Sequence, residues 1–250
     1  MSNIRNLYSI FAALMLVAAL SAGTAVLAVD GSADRAEKKV AEKNRVEAPL
    51  NLAVLIQDDV VARVGTELRV TRDFIRSLPS GSRVMVGYIG SGSLQVRQPF
   101  TDDLESASRA LRIPIASTAA SPYNPYVGVI EALRRFDNSG GKNRNAILLI
   151  SDGLDLSRGT DISTVSNPVD MQRAVREAKR RNVAVYSFFA PTVQLSSFSS
   201  TAAVYGQGAL SRLSNETGGR AFFQGTSFVT FDSYFERLSR TLNDQSGAAY

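Results

Sequence analysis

From Pro49 onward the apolar positions switch repeatedly between two periods, short continuous runs and a 3.6-residue stripe. That alternation predicts an α/β sandwich built on a central sheet. Leu50 to Ile56 (LNLAVLI), Arg83 to Ile89 (RVMVGYI), Ala146 to Ile150 (AILLI), Val183 to Phe189 (VAVYSFF) and Ala221 to Phe223 read as strands. Their near-continuous apolar character is what strands covered by helices on both faces require. Gly90-Ser91-Gly92 leaves so little chain before Leu94 to Gln98 that the two flanking runs must pair as a hairpin, which makes the second an antiparallel edge strand.

Helical stripes fill the gaps. Val64, Leu68, Ile75 and Leu78 end at Pro79-Ser80-Gly81. Asp102 with Glu105 predicts a capping box for the next helix, with Leu104 and Leu111 facing inward. Val127, Ile130 and Leu133 mark a third, Met171, Val175 and Ala178 a fourth, and Leu210 and Leu213 a fifth that stops at Gly218-Gly219. Phe231, Tyr234, Phe235, Leu238 and Leu242 mark the last, the most strongly amphipathic of the set. The fold class expected is therefore a Rossmann-like three-layer sandwich, with a mostly parallel sheet, one antiparallel edge strand and helices on both faces.

The first 48 residues follow a different pattern. No charge occurs from Leu7 to Val29, Arg5 precedes the run, and Val26-Leu27-Ala28 places small residues where a signal peptidase reads them. Residues 1–28 are read as a signal peptide, with an uncleaved membrane anchor as the alternative. Either reading places the remainder outside the cytoplasm, in the periplasm or the medium. Residues 29–48 read as a linker: from Asp30 on they are charged, with Val40 and Val46 the only large apolar residues. Residues 49–245 form the domain and 246–250 a tail.

Composition then narrows the chemistry. The chain contains no His, Cys or Trp, so it has no imidazole base, thiolate nucleophile, disulfide or sulfur-ligated metal. Any metal bound would be a hard, oxygen-seeking ion such as magnesium or calcium. The formal charge of +5 over 250 residues is too small to mark a nucleic-acid-binding surface.

Three loops beyond the carboxyl ends of the strands carry polar groups: Gln57-Asp58-Asp59, Ser121-Pro122-Tyr123-Asn124 and Ser151-Asp152-Gly153-Leu154-Asp155. Converging carboxylates and hydroxyls there could hold a divalent cation, and the same residue types equally serve as helix caps and Asx-turns. The segment from Thr192 to Gly208 reads as a long Ser-rich loop near the same sheet edge, with Leu195, Phe198 and Tyr205 available to a partner. Arg173, Arg176 and Arg180 share one helix face, a solvated side that could also meet an acidic partner. Gly90-x-Gly92 lacks the following helix of a dinucleotide loop, and Ser139-Gly140-Gly141-Lys142 lacks the context of a penicillin-binding nucleophile.

The ordered segments VLIQDDVVARVG, IRSLPSGSRVMVGYIGSGSLQVRQPFT, ILLISDGLD, NVAVYSFFAP and LSNETGGRAFFQG resemble a von Willebrand factor type A domain, in particular the VWFA-related group abundant in Acidobacteria. The resemblance implies a metal-ion-dependent adhesion site at the sheet top, where a divalent cation is completed by an acidic group of a partner protein. The family's first loop reads Asp-x-Ser-x-Ser, and alignment on Val64-Gly65 places Gln57, Asp59 and Val61 there. Starting at Asp58 gives Val60 and Ala62, and starting at Asp59 gives Val61 and Arg63, so both hydroxyls are absent in every register. Ser121 or Asn124 falls near the second-loop Thr position, and Asp152 matches the third-loop Asp.

The expectation is an exported, non-enzymatic interaction module with a degenerate, metal-free site that binds another protein or an envelope component. Asp58, Asn124, Asp155, Leu195, Phe198 and Tyr205 are the candidate contact residues. A first alternative retains magnesium- or calcium-dependent adhesion through Asp59, Ser121 and Asp152. A second is an exported hydrolase, disfavoured because no base suited to neutral pH accompanies any candidate Ser. No nucleic acid is expected as a partner, and a membrane only through a retained N-terminal segment.

Overall fold

The computed structural model describes residues 46–61, 64–90, 92–115, 124–136, 143–157, 168–192, 200–223 and 230–247. Residues 1–28, expected to be a signal peptide, and nearly all of the expected linker lie outside these residues, as do Ser121, Leu195 and Phe198. Six strands form one sheet: β1 (Leu50–Gln57), β2 (Arg83–Gly90), β3 (Ser93–Thr101), β4 (Arg144–Ser151), β5 (Val183–Phe189) and β6 (Ala221–Phe222). Their spatial order is β3-β2-β1-β4-β5-β6, and every pairing is parallel except β2 with β3. This is the mostly parallel sheet with one antiparallel edge strand that the hydrophobic pattern predicts.

The helices α1 (Val64–Arg76), α2 (Leu104–Arg109), α3 (Pro125–Leu133), α4 (Val169–Arg180), α5 (Ser200–Glu216) and α6 (Asp232–Gly247) cover both faces of the sheet. Side chains alternate across a strand, so β1 sends Leu52, Val54 and Ile56 to one face, where they meet α1, α2 and α6. Its Ala53 and Leu55 go to the other face, with α3, α4 and α5. On the first face Phe188 sits within 5.6 Å, centroid to centroid, of Phe222, Phe231, Tyr234 and Phe235, which fixes α6 to the sheet.

Two local expectations are corrected. The cap of α2 is Asp103, not Asp102: its carboxylate accepts from Ser106 N at 2.9 Å and from Ser106 Oγ at 2.6 Å. Glu105 turns away from a capping box and pairs with Arg76 at 2.7 Å, the stronger, charge-assisted option. The segment from Thr192 to Gly208 is not one long loop, because Ser200 onward belongs to α5. Gly206 and Gly208 argue locally against a helix, but Ala202, Ala203, Ala209 and Leu210 bury against the sheet and packing overrides propensity. Among the described residues no helix is long and apolar enough to cross a membrane.

Candidate functional site at the sheet switch point

The strand order reverses direction between β1 and β4, and in open α/β sheets the crevice beyond the carboxyl ends at such a point is where ligands bind. β1 ends there on Gln57, followed by Asp58 and Asp59, and β4 ends on Ser151, followed by Asp152. All five side chains are buried. The Ser151 hydroxyl donates to Gln57 Oε1 and itself accepts from Gly153 N at 2.9 Å. Asp152 Oδ1 accepts from Leu154 N at 2.9 Å and Oδ2 from Thr192 Oγ1 at 2.9 Å.

Two carboxyl groups titrate well above their ordinary range. Burial, reinforced by the neighbouring charge of Asp152, pushes Asp59 up to about 7, against a hydrogen bond from Gln57. Burial also pushes Asp152 up to about 6, opposed by hydrogen bonds from Leu154 N, Thr192 and Gln57. The neutral amide of Gln57 counters the upward shift of both acids. Among the described residues Asp59 Oδ1 is a buried carboxylate oxygen without a hydrogen-bond partner. Strongly shifted acids held in a crevice mark a candidate functional site.

Asp152 is held in place by a close helix approach. Gly153 takes φ +76, open to glycine at no steric cost, and a Cβ there would lie 2.4 Å from Gly206 O. A Cβ on Gly206 would lie 2.0 Å from Asp152 O, so α5 packs backbone to backbone against the loop after β4. Tyr126, fully buried on α3, donates its hydroxyl to Gly153 O. Thr192 is brought to Asp152 by an isolated antiparallel bridge with Val60 and by Val61 N donating to Pro191 O at 3.0 Å.

Asp58, one residue from Asp59, is engaged elsewhere. Arg112 grips it in a two-pronged ion pair, both N–O distances 2.7 Å, and Ile115 N donates to its Oδ1 at 3.1 Å. The same guanidinium lies 4.0 Å above the Tyr88 ring, and the Tyr88 hydroxyl donates to Arg112 O at 2.7 Å. This clamp fixes residues 111–115 over the first turn of α1, where Ile113 side-chain atoms stand 3.4 Å from the position of a Gly65 Cβ.

Of the remaining sequence candidates, Asn124 is buried and caps α3, accepting from Tyr126 N at 3.1 Å while donating to Asp170 at 2.9 Å. Asp155 is buried and orders its own turn through Ser157 N at 3.0 Å. Tyr205 lies on α5 and is exposed. Sequence reasoning did not single out Arg112, Thr192 or Gly206. Arg112 is separated from Asp58 by 54 positions and no local period reports the pairing.

Five large apolar side chains among the described residues are exposed: Ile113 62%, Ile115 66%, Val169 51%, Val204 58% and Tyr205 39%. All five border this end of the sheet. Ile113 and Ile115 are on the clamped segment, Val169 opens α4 beside Asp170, and Val204 and Tyr205 immediately precede Gly206, which touches the Asp152 backbone.

Fold and site together define a doubly wound α/β domain with a buried acidic pair and an apolar rim at its switch point. No protein-family profile matches the sequence, and no curated protein matches it. Solved structures do. BatB from Bacteroides thetaiotaomicron, described as a conserved hypothetical protein, aligns with a TM-score of 0.54 at 14% identity, over 80% of this chain and 100% of that one. An aerotolerance-related membrane protein from Bacteroides fragilis aligns with a TM-score of 0.50 at 12% identity, over 79% and 100%. The human COPII-coat protein Sec24c aligns with a TM-score of 0.51 at 14% identity, over 82% of this chain and 33% of that one. Identities this low speak to the fold, and that fold is the von Willebrand factor type A-like one.

Proposed function

We propose that the chain is a non-enzymatic protein-interaction module that receives a partner on the carboxyl edge of its sheet without a bridging cation. The observation that carries this reading is the gathering of all five exposed large hydrophobics of the described residues around that one edge. Exposed apolar clusters on a soluble domain mark contact surfaces. Ile113, Ile115, Val204 and Tyr205 supply the apolar contact, and Leu195 and Phe198 belong to the same proposed surface. Asp58, Asn124 and Asp155 support the loops that carry it: their carboxyl and amide groups are committed to Arg112, Asp170 and Ser157.

A divalent cation fits this donor set poorly. Val61 offers no oxygen where the adhesion motif has a hydroxyl, both Asp152 oxygens already accept hydrogen bonds, and Gln57 Oε1 is taken by Ser151. Asp59 Oδ1 is the buried oxygen left without a partner, so a cation here would have few protein ligands and depend mainly on water for the rest of its shell. Among the described residues no group of three acidic side chains is placed to hold a metal. The bare Asp59 oxygen is also what favours the second reading, cation-dependent adhesion in which Asp59, Asp152 and Ser121 are ligands.

Residues 1–28 direct the chain out of the cytoplasm in this account, to the periplasm or the medium, and the partner is another protein or an envelope component. The aerotolerance-related membrane protein that shares the fold is in keeping with an envelope setting. The test is chemical cross-linking in the intact source cell, comparing the natural chain with Ile113→Asp and Val204→Asp. A partner cross-linked by the natural chain, lost from both variants and retained after EDTA treatment supports the reading. Loss on EDTA alone supports the cation-dependent one.

A further inference from the structure

Opposite the switch point, the amino ends of the parallel strands β1, β2 and β4 form the other edge of the sheet. The chain enters the domain here. Val46 is fully buried, Glu47 N donates to Asn243 Oδ1 at 3.0 Å, and Pro49 lies 3.8 Å from the position of a Gly81 Cβ in the turn before β2. Asn143 Nδ2, just ahead of β4, donates to Gly81 O at 2.8 Å. α3 ends at the same edge: Phe136 packs edge-on against Phe100 at 4.8 Å, and Arg83, the first residue of β2, lies 5.8 Å over the Phe100 ring. Cations collect there. Arg134 and Arg135 follow α3 and are exposed, and Arg144 opens β4. Arg144 Nε and Nη2 are buried without a partner, and among the described residues none of the three has a carboxylate partner. Residues 137–142 between them add one Asp and one Lys. Arg180 and Arg181, at the end of α4, share the single carboxylate of Glu177. The carboxyl edge has the reverse character, with Asp58, Asp59, Asp152 and Asp155 beside Arg112, which pairs with Asp58.

We infer that the amino edge rests on a membrane surface and binds anionic lipid headgroups, with residues 1–28 retained as an anchor. The carboxyl edge and its apolar rim then face away from the bilayer, toward a partner. Two features select a bilayer over a soluble polyanion. The uncharged run from Leu7 to Val29 is long enough to span the hydrocarbon core. Residues 30–45, between that run and Val46, reach no more than about 60 Å even when fully extended, so the edge through which the chain enters is held within reach of headgroups at high effective concentration. The cations are also spread along the ends of α3, β2, β4 and α4 rather than gathered in a pocket, which suits a plane of charges better than one compact anion. The acids at the opposite edge are repelled by the same surface, so the charge pattern sets the orientation as well as the contact.

The test uses the full-length chain, which has no native Cys, with a fluorophore on Ser80→Cys in the turn before β2 or on Val204→Cys near the carboxyl edge. Each is reconstituted into phosphatidylcholine vesicles, with and without phosphatidylglycerol, that carry a headgroup quencher. The expected result is quenching at position 80 that requires phosphatidylglycerol, is weakened by added salt and is absent at position 204. Arg134→Gln combined with Arg135→Gln lowers the ratio of docked to undocked domain about tenfold or more. Ile113→Asp leaves it unchanged, which separates this edge from the partner surface. Far-UV circular dichroism confirms that each variant is folded. Equal quenching in both lipid mixtures, equal quenching at the two positions, or no effect of the arginine pair overturns the inference. A chain that stays with neither kind of vesicle overturns it too, through the anchor rather than the edge. Binding of labelled polyglutamate that needs Arg134 and Arg135, with no quenching at position 80, assigns the edge to an acidic protein instead.

Discussion

Asp59→Asn removes one charge from the buried acidic pair and leaves its shape nearly unchanged. In the folded chain Asp59 titrates near 7 rather than 3.8, the value expected once unfolding exposes it. A carboxyl group whose pKa is raised by folding stabilises the fold fully below its unfolded pKa, and that contribution is lost as pH rises through the folded value. Three units at about 1.4 kcal/mol each amount to roughly 4 kcal/mol, of which about 3 kcal/mol falls between pH 5 and pH 8. The other shifted carboxylates, Asp103, Glu105, Glu177 and Glu216, are all lowered by hydrogen bonds and nearby arginines, so they titrate below this window. Asp152, near 6, falls within it and steepens the decline in both proteins. Urea unfolding of the natural chain should therefore show stability decreasing from pH 5 to pH 8, with Asp59→Asn decreasing less. At pH 8 the variant should be more stable by about 2–4 kcal/mol, the lower figure allowing for an amide that must find its own donors and acceptors. Equal stability at pH 8, or a natural chain that grows more stable as pH rises to 8, would refute the assignment of a raised, unpaired acid.

Arg112→Ala leaves Asp58 buried with only Ile115 N to hold it, and should cost about 2–3 kcal/mol in a chemical melt while residues 111–115 lose hydrogen-exchange protection. Arg112→Lys should recover only part of that loss, because an ammonium cannot reproduce the two-pronged contact. Gly206→Ala drives a methyl group into the Asp152 carbonyl and should cost about 3 kcal/mol, with the largest amide shifts in the loop after β4; an unchanged melting temperature would contradict the backbone contact. Ile113→Ser combined with Ile115→Ser should leave the melting temperature within about 2 °C of the natural value, since both side chains are solvent-facing, while lowering binding of a hydrophobic dye such as ANS.

The strands were legible because the sheet is covered on both faces, which turns β1, β4 and β5 into near-continuous apolar runs. α6 was legible for the opposite reason, a single apolar face from Phe231 to Leu242. The first half of α5 was not, since Ser, Thr and two glycines obscure a period that only tertiary packing enforces. The placement of Asp102 and Asp103 differs by one residue, and two adjacent aspartates give no local means of choosing the cap. At the site, residue types and the family resemblance pointed to Gln57, Asp59 and Asp152, whereas what occupies their oxygens is a matter of long-range contacts. Ser151 reaches Gln57 across 94 positions, and Thr192 reaches Asp152 across 40. The Arg112 clamp is of the same kind, created by the fold and carrying no sequence period.

The most direct test of a sheet edge that works without a cation is calorimetric titration of the full-length chain with magnesium, calcium and manganese, repeated on Asp152→Ala. The account predicts no saturable heat and a melting temperature unchanged by any of the three ions. Saturable binding that Asp152→Ala abolishes would contradict it, and would make a cation held by Asp59 and Asp152 the basis of adhesion.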